Sequence, residues 1–344
     1  MPGSRQPPVP VIGLDVGGAN TKAALVRGDE RVEIVSAPFE VWREPEALSE
    51  AIATVVGRLG LARAPVALTT TAELVDVFAS KHEGVLEVLD ATRRALPGRA
   101  LRVMTIDGEL VDLKAARSSP LRCAAANWMA TALLIARSRP DAILLDCGGT
   151  TTDVIPIVGG EVVAEGRTDV ERLLAGELVY TGALRTNVAA IVSHVPIGGE
   201  PCPVSSELFA ISADAHLLCG RLTAEQCTCT FPDGRGTTPR EVRSRLARVV
   251  CADPEQLAAG DLEAIAVAVH AAQVDTIAAA LRRVAARVPA GTGVITAGVG
   301  AFLAHTAAER CRLPVHAATG PLAPLHGTGA DVAAAVALSV LGRE

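Results

Sequence analysis

Aromatic side chains are scarce in this sequence, since Phe, Tyr and Trp together make up 2% of its 344 residues. Stacking of bases on aromatic rings is the usual way to hold single-stranded nucleic acid, so such a surface is not expected. A basic stripe for duplex binding is missing too, because 32 Lys and Arg stand against 38 Asp and Glu and the net charge is −6. We therefore expect no nucleic-acid partner.

Paired cysteines and long apolar runs are also missing. The eight cysteines form no Cys-x-x-Cys pair, and their closest spacing is Cys227-x-Cys229, which favours reduced thiols over disulfides. Residues 1–10 lack the apolar core of a signal peptide and are predicted to be a disordered arm. The Ala-rich segment 331–341 is too short to span a bilayer. We expect a cytoplasmic protein with no membrane partner.

What is present is the composition of a two-domain globular protein. The length exceeds that of one ordinary hydrophobic core, so two domains of similar size are expected. Hydrophobic residues make up 49% and charged residues 20% of the chain, which is enough apolar material to fold. Two lobes would leave a cleft between them.

One sequence pattern occurs twice. Residues 11–26 (VIGLDVGGANTKAALV) align with residues 142–157 (AILLDCGGTTTDVIPI). In both copies a branched apolar run ends at an Asp, passes two glycines and small polar residues, and continues as a second apolar run. The pattern predicts one β-hairpin in each half of the chain.

Both hairpin turns have the composition of phosphate-binding loops. Paired glycines allow positive φ angles and let backbone amides approach an anion without a Cβ in the way. An Asp at a strand end can hold Mg²⁺ through its water shell, so Asp15 and Asp146 are the predicted catalytic and metal-binding residues. The predicted phosphate-binding residues are Gly17, Gly18, Asn20, Thr21, Lys22, Gly148, Gly149, Thr150, Thr151 and Thr152. The alternative is that each Gly-Gly pair only closes a tight turn.

The remaining segments alternate between strand and helix patterns, which is typical of the α/β class. Further strands are predicted at 31–40, 65–70, 102–106, 161–165 and 294–296. Helices are predicted at 45–61, 71–82, 86–96, 121–137, 170–174, 206–218 and 262–287, and after Gly327. We divide the chain into the arm 1–10, lobe I at 11–138, the C-terminal helix 328–342 packing back on lobe I, and lobe II at 139–327 with an inserted helical and loop segment at about 200–260.

The two Asp-x-Gly-Gly hairpins, the linking helix, the Gly-x-Gly turn at 298–300 and the final helix resemble the actin, sugar-kinase and heat-shock-chaperone superfamily. This resemblance implies an actin-like ATPase fold, with two ribonuclease-H-like lobes around a central cleft. It implies that residues 15–22 and 146–153 bind phosphates, and that Gly298 and Gly300 lie against a nucleoside if a nucleotide binds. The expected cofactor is Mg²⁺, with ATP as a further candidate ligand.

A closer resemblance is to the hydantoinase/oxoprolinase-like branch, and within it to short proteins linked to tetrahydromethanopterin-dependent one-carbon metabolism. The stretches that carry it are 71–78 (TAELVDVF) with Lys81 and 84–85, 126–128 (ANW), 176–182 (GELVYTG) with 184–186, 207–210 (ELFA) and 213–214. Members of this group in methanofuran biosynthesis join a furanylmethyl diphosphate to the phenol of a γ-glutamylated tyramine and release diphosphate. The resemblance implies the same transferase activity here, with a tyrosine derivative as an alternative acceptor.

Such a reaction needs a base near the phenol and cations near the diphosphate. Glu73 and Asp76 are three residues apart on a predicted helix and are the first candidates for a catalytic carboxylate. The alternative is that both lie on a solvated helix face. Lys81 or Arg122 could contact phosphate oxygens, or lie at the surface.

Substrate-binding residues are predicted in both lobes. Asn127 lies in an otherwise apolar helix and would need a hydrogen-bond partner if buried, either substrate or protein. A Tyr180 and Arg185 pair could bind the carboxylated tail of the acceptor or could pack the lobes together. The full predicted set is Asn127, Glu177, Tyr180, Arg185, Gly298 and Gly300.

A zinc site is not predicted. Asp214, His216, Cys219, Cys227 and Cys229 lie within a short stretch, but their spacing differs from the paired ligands that zinc sites usually show. Structural roles are the better interpretation for these side chains, so magnesium is the metal we predict.

Two other functions fit the same sequence. The first is an ATP-dependent small-molecule kinase or a hydantoinase/oxoprolinase-type amidohydrolase, because a fold does not determine its chemistry. ATP turnover would distinguish it from the diphosphate-releasing transferase. The second is a nucleotide-gated binding protein without catalysis, for which ligand-driven lobe closure but no turnover is expected.

Overall fold

Each half of the chain folds around its own mixed sheet in this computed structural model, which describes residues 9–28, 31–318, 320–325 and 332–343. The strands of lobe I are β1 (Ile12–Val16), β2 (Asn20–Val26), β3 (Val32–Pro38), β4 (Val66–Thr70), β5 (Leu101–Met104) and β6 (Leu110–Asp112). Its helices are α1 (Leu48–Gly57), α2 (Lys81–Ala95), α3 (Leu113–Ser118) and α4 (Asn127–Ser138). The sheet order is β3-β2-β1-β4-β5-β6, with β4 parallel to β1 and β2 antiparallel to it.

Lobe II repeats this arrangement. Its strands are β7 (Ala142–Cys147), β8 (Thr152–Val158), β9 (Glu161–Val162), β10 (Leu178–Val179), β11 (His194–Ile197), β12 (Glu200–Pro203), β13 (Val294–Ala297) and β14 (Val315–His316). Its helices are α5 (Asp169–Ala175), α6 (Val188–Ile191), α7 (Ser212–Leu218), α8 (Pro239–Arg248), α9 (Asp261–Ala285) and α10 (Ala301–Arg310), and α11 (Ala333–Leu341) follows. The main sheet has the order β10-β8-β7-β13-β14.

The two predicted hairpins are confirmed. β1 pairs with β2, and β7 pairs with β8, both antiparallel. Asp15 lies opposite Lys22 in the first hairpin, and Asp146 lies opposite Asp153 in the second. The internal repeat of the sequence is therefore a structural repeat with the same register.

The apolar residues divide into several cores. One fills the space between the lobe I sheet and helices α1 and α2, and another lies under α9 and α10 in lobe II. A third joins β2, α4, α11 and β7, so it crosses from one lobe to the other. The inserted strand β11 and helices α7 and α8 pack on the first half of α9.

Among the described residues, α9 is the one helix long and apolar enough to cross a membrane. Half of its apolar window is buried inside the protein. Its buried residues face α7, α8 and α10, as expected of the central helix of lobe II.

Three helix predictions are wrong at their bounds. The helix predicted at 71–82 is absent, because residues 72–74 form a 3-10 turn and α2 begins only after Ser80, whose hydroxyl caps it by accepting from Glu83 N at 3.1 Å. The linking helix begins at Asn127 rather than at 121, because Ala125 has a φ of 49° and breaks the chain direction. The helix predicted at 206–218 covers only 212–218. Residues 1–8 of the arm and Gly327–Gly329 lie outside the described residues.

The last helix, α11, packs on the lobe I sheet. The Ser339 hydroxyl donates to Val11 O at 2.6 Å and accepts from Val26 N at 2.8 Å, so it joins α11 to both strands of the first hairpin. The approach of α11 to β1 leaves no room for a side chain at Gly13, since a Cβ there would lie 1.8 Å from Ala335 O.

We predict that Gly13→Ala lowers the free energy of unfolding by about 3 kcal/mol or more, because a backbone atom of α11 must move. Gly57→Ala is the matched control, since Gly57 is in α1 and no atom lies within 4 Å of a Cβ built there. That control should stabilise the protein by about 0.5–1 kcal/mol. Urea unfolding of the three proteins measures both changes, and equal stability of Gly13→Ala and wild type would contradict this packing.

Candidate functional site

The two hairpin turns have the same internal hydrogen bond. In loop I, residues 17–19, Gly17 N donates to Asn20 O at 2.9 Å. In loop II, residues 148–151, Gly148 N donates to Thr151 O at 2.9 Å. The backbone of the repeat is thus preserved through the turn as well as along the strands.

Glycines in these loops allow other segments of the chain to pack closely against the backbone, and they are not needed for positive φ angles. Gly17, Gly18 and Gly149 do not have positive φ, so that part of the expectation is wrong. A Cβ at Gly18 would lie 2.8 Å from Val75 Cγ1, and one at Gly149 would lie 3.3 Å from Leu184 Cδ1. The side chains of Val75 and Leu184 therefore pack closely against loop I and loop II, respectively.

A stacking contact joins the segments that hold the two loops. Val41 N donates to Gly18 O at 2.9 Å, which places the adjacent Trp42 beside loop I. Arg185 N donates to Gly149 O at 2.9 Å, which places Arg185 beside loop II. The Arg185 guanidinium lies 4.9 Å from the centre of the Trp42 ring, so the segments bonded to the two loops are in contact between the lobes.

Two further contacts cross between the lobes. Lys81 Nζ at the start of α2 is 2.6 Å from Asp169 Oδ2 at the start of α5. The Thr230 hydroxyl of the inserted segment donates to Glu40 Oε1 at 2.5 Å. These polar contacts between described residues of the two lobes add to the hydrophobic core that crosses from one lobe to the other.

Asp15 is a buried member of an ion pair. Only 4% of the residue is exposed, and its Oδ2 is 3.3 Å from Lys22 Nζ on the neighbouring strand. Removal of one partner from a buried pair leaves the other charge uncompensated, which is costly. Asp15 therefore contributes to the stability of the hairpin as well as being a candidate site residue.

Asp146 is more open than Asp15 and lies under the Gly298–Gly300 turn. A Cβ at Gly298, whose φ is 83°, would lie 2.6 Å from Asp146 Oδ1. Gly300 N donates to Cys147 O at 2.8 Å. The Gly-x-Gly turn thus belongs to the same site as loop II.

These carboxylates fit a magnesium ion that keeps most of its water. No three His, Cys, Asp or Glu side chains cluster for metal binding in the described part of the chain. Mg²⁺ in phosphate sites is commonly held by one or two carboxylates, with water and phosphate oxygens completing its coordination. Asp146 is partly exposed, whereas Asp15 is buried and paired with Lys22.

Glu73 is a buried acid on the lobe I side of the cleft. It lies in the 3-10 turn after β4, and Thr71 at the start of that turn donates its N–H to Val16 O, beside loop I. Thr70 Oγ1 donates to Glu73 Oε2 at 3.3 Å, and Oε1 has no hydrogen-bond partner among the described residues. The pKa of Glu73 is raised to about 7, mainly by burial and to a smaller extent by Asp169, while a backbone hydrogen bond, Lys81 and Thr70 act to lower it.

Comparison of the sequence with known protein families gives a match. The hydantoinase/oxoprolinase family profile matches residues 65–333. The chain belongs to the hydantoinase/oxoprolinase family. One relative, from Methanocaldococcus jannaschii, is 38% identical over 248 residues, which are 72% of this chain and 73% of that protein. It is named (4-{4-[2-(gamma-L-glutamylamino)ethyl]phenoxymethyl}furan-2-yl)methanamine synthase.

A second relative with the same name, from Methanococcus vannielii, is 36% identical over 156 residues, or 45% of this chain and 70% of that protein. Among solved structures, nucleotide-free acetone carboxylase superposes with a TM-score of 0.59 at 12% identity, covering 97% of this chain and 70% of that chain. The predicted fold class is confirmed: the two lobes form the actin-like ATPase fold.

Three predicted residues of this hydantoinase/oxoprolinase family member have surroundings that differ from those expected. Asp76 is exposed in the irregular segment before α2, so it does not share a helix face with Glu73. Arg122 lies on the surface and pairs with Asp107 at 2.6 Å and Glu109 at 3.0 Å. Glu177 is completely buried, where it accepts hydrogen bonds from backbone N–H groups and pairs with Arg287.

Asn127, Tyr180 and Arg185 are partly or fully exposed, whereas Gly298 and Gly300 are buried. Asn127 is the first residue of α4, not an interior one, and Ala124 just before it forms a bridge with Thr70 beside Glu73. Tyr180 is 62% exposed. Arg185 stacks on Trp42, and no ring contact to Tyr180 is found within the described ranges.

The predicted phosphate-binding side chains also divide by burial. Asn20, Thr150 and Thr151 are partly exposed beside the loops, whereas Thr21 and Thr152 are buried. The Thr152 hydroxyl donates to Thr181 O at 2.8 Å, so it is committed to the interior of lobe II and its assignment as a phosphate donor is wrong.

The residues once considered for zinc have structural partners. Asp214 accepts from Ile211 N at 3.0 Å and pairs with the buried Arg245 at 2.8 Å. His216 contacts Gln273 through its Nε2 at 2.9 Å. The structural interpretation of these two side chains fits both contacts.

Sequence reasoning missed the residues that join the lobes, namely Trp42, Glu40, Thr230 and Asp169. Trp42 is one of only two tryptophans in the chain, which was a usable signal. The partners of the other three are at least 88 residues away in sequence, so no local pattern marks them.

The raised pKa of Glu73 predicts a pH-dependent stability. Its pKa is about 7 in the folded protein against 4.5 for the unfolded chain, so Glu73 contributes stability below pH 4.5 that is lost as the pH rises to about 7. Glu73→Gln removes this loss, so the variant should gain stability relative to wild type as pH rises through that window. Urea unfolding at about pH 5 and about pH 8 measures the gain.

The control is Glu87→Gln, which removes the same charge from the exposed face of α2. If Glu73→Gln shows the same dependence of stability on pH as wild type and this control, Glu73 is not a buried acid of raised pKa.

Proposed function

We propose that this chain is a transferase that forms the ether found in the product of its archaeal relatives. It joins the methylene carbon of an aminomethylfuranylmethyl diphosphate to the phenol oxygen of a γ-glutamyl-tyramine or tyrosine acceptor. The observation that carries this proposal is the 38% identity, over 72% of the chain, to a synthase named for a phenoxymethylfuran product. The cleft between two Asp-x-Gly-Gly loops supports it.

The leaving group is the part of the reaction that the loops would serve. As the bond from the methylene carbon to the diphosphate oxygen breaks, the electron pair goes to diphosphate and negative charge accumulates there. Backbone N–H groups held in fixed positions stabilise such charge without reorganisation. Loops I and II, with Lys22 next to Asp15, support this role.

Magnesium would supply further neutralisation of the diphosphate oxygens when bound. Asp146 is the residue that would hold it, because its carboxylate is partly exposed beside loop II and the Gly298–Gly300 turn. Asp15 would act chiefly by keeping Lys22 in place. This division narrows the earlier expectation that both Asp residues bind the metal.

Glu73 is the proposed base. The phenol oxygen attacks the methylene carbon, the new carbon–oxygen bond forms, and the phenol proton passes to the Glu73 carboxylate. A base works best when its pKa is near the working pH, and the pKa of Glu73 is about 7. Glu73 is hydrogen-bonded to Thr70, and Thr70 forms a bridge with Ala124, three residues before α4 begins.

Arg185 is the proposed contact for the carboxylated tail of the acceptor. Its side chain is exposed, and stacking on Trp42 holds the guanidinium plane while its N–H groups stay available for a carboxylate. The exposed ring of Tyr180 lies five residues earlier on the same lobe. Both residues therefore stay as candidates for acceptor binding.

A ligand-stabilisation screen tests this function directly. With Mg²⁺ present, the aminomethylfuranylmethyl diphosphate and free diphosphate should each raise the melting temperature with the logarithm of their concentration. The same measurement with ATP tests the kinase or amidohydrolase function on this fold. Strong stabilisation by ATP and none by either diphosphate would overturn the transferase proposal.

Substitution of the proposed site residues should lower turnover. Asp146→Asn should reduce kcat about hundredfold or more without unfolding the protein, because it removes the metal ligand. Glu73→Gln should reduce kcat about hundredfold, because the phenol loses its base. Asp15→Asn is a poorer test, since it leaves Lys22 without a buried partner and so lowers stability as well.

The matched control for these variants is Glu87→Gln on the exposed face of α2. Release of diphosphate and formation of the ether are measured together, and should remain equal in amount. Turnover of Asp146→Asn at the wild-type rate would remove Asp146 from the site.

A further inference from the structure

Loop II rests against a wall formed by residues 181–186. Backbone N–H groups of this segment donate to Gly148 O and Gly149 O at 2.9 Å. At Gly182 the contact is closer still, since a Cβ there would lie 2.5 Å from Thr150 N. The position of the loop II amides is therefore set by the position of this wall.

The wall is held in place by hydrogen bonds from Gln273, a buried residue of α9. Gln273 Nε2 donates to Thr181 Oγ1 at 2.7 Å and to Gly182 O at 2.9 Å. Its Oε1 lies 2.9 Å from His216 Nε2 on α7. All three contacts are between buried groups, where a hydrogen bond is costly to lose.

The chemistry of the partners determines which way each group faces. Gly182 O can only accept, so the amide nitrogen of Gln273 must face it and the amide oxygen must face His216. His216 Nε2 must then carry the hydrogen, and the ring is neutral with Nδ1 unprotonated. Burial and the neighbouring His270 lower the pKa of His216 to about 3, which agrees with a neutral ring.

His216 also packs against α10, the helix that follows the Gly298–Gly300 turn beside loop II. The His216 ring makes an edge contact with Phe302, with centroids 4.8 Å apart. Phe302 is two residues after Gly300, whose N–H donates to Cys147 O immediately before loop II. His216 therefore touches both supports of the loop, one through Gln273 and one through Phe302.

We propose that Gln273, oriented by the Nε2–H of His216, is a positioning residue that fixes the loop II amides for the diphosphate leaving group. This inference rests on the proposed function. Neither residue touches the substrate; their effect passes through Gly182 to Gly149 and Thr150. A loop displaced by a fraction of an ångström would stabilise the departing charge less well.

The test compares Gln273→Leu with wild type. The variant should lower kcat and raise the KM for the diphosphate ester, each about tenfold, while the KM for the phenolic acceptor changes by less than about twofold. Hydrogen exchange of the amides of residues 148–152 should become faster in the variant. A purely structural role would lower the amount of folded protein without this division between the two substrates.

A second pair of variants keeps the test decisive if Gln273→Leu does not fold. His216→Gln retains an N–H donor toward Gln273 and should keep the wild-type kinetics and loop exchange. His216→Met removes that donor and should reproduce the Gln273→Leu effects. Thr92→Val is the control for the loss of a buried hydrogen bond, because Thr92 lies in α2 and donates to Val88 O at 2.8 Å, far from loop II.

The outcomes separate this inference from the function on which it rests. If wild type neither turns over the diphosphate ester nor binds diphosphate with Mg²⁺, the proposed function fails. If wild type is active and folded Gln273→Leu or His216→Met keeps both its KM values and its loop exchange, the positioning role fails. Equal losses in His216→Gln and His216→Met would also overturn it, since the donor would then be irrelevant.

Discussion

The stack of Arg185 on Trp42 is the contact on which the rest of the site depends. Loops I and II would act on one ligand, as proposed, only if their separation is fixed, and each loop belongs to a different lobe. Backbone hydrogen bonds join Val41, the neighbour of Trp42, to loop I and Arg185 to loop II, so the contact of Arg185 with Trp42 links the positions of the two loops. The Lys81–Asp169 ion pair adds a second point of contact, and two points restrict rotation of the lobes as well as their distance.

The repeated backbone carries different charges in its two copies. Lys22 lies opposite Asp15 in the first hairpin, while the equivalent residue of the second hairpin is Asp153. Asp153 is neutralised from outside the hairpin by Arg172, whose guanidinium also lies 4.3 Å from the centre of the Trp128 ring. In lobe I the charged partner therefore comes from the same hairpin, whereas in lobe II it comes from α5. A diphosphate bound between them would meet unequal surroundings at its two ends.

The parts of this structure that were predictable from sequence are those with a local cause. Apolar runs that end at Asp-x-Gly-Gly marked both hairpins, because strand pairing and the turn are encoded within sixteen residues. The prediction of a helix at 71–82 was wrong because a tertiary contact holds the start of that segment: Thr71 N donates to Val16 O of β1, and α2 begins only after its cap at Ser80. The surface position of Arg122 and the burial of Glu177 depend on partners elsewhere in the chain, which no spacing rule reveals.

Glu73 connects the chemistry to the closure of the lobes. Burial is the main cause of its raised pKa, while Lys81 lowers that pKa and Asp169 raises it. Lys81 and Asp169 are the two members of the ion pair that crosses the cleft. Separation of the lobes would take Asp169 away and leave Lys81 on the same lobe as Glu73. Loss of Asp169 favours the carboxylate, so the proton affinity of this proposed base would be highest while the Lys81–Asp169 pair is intact.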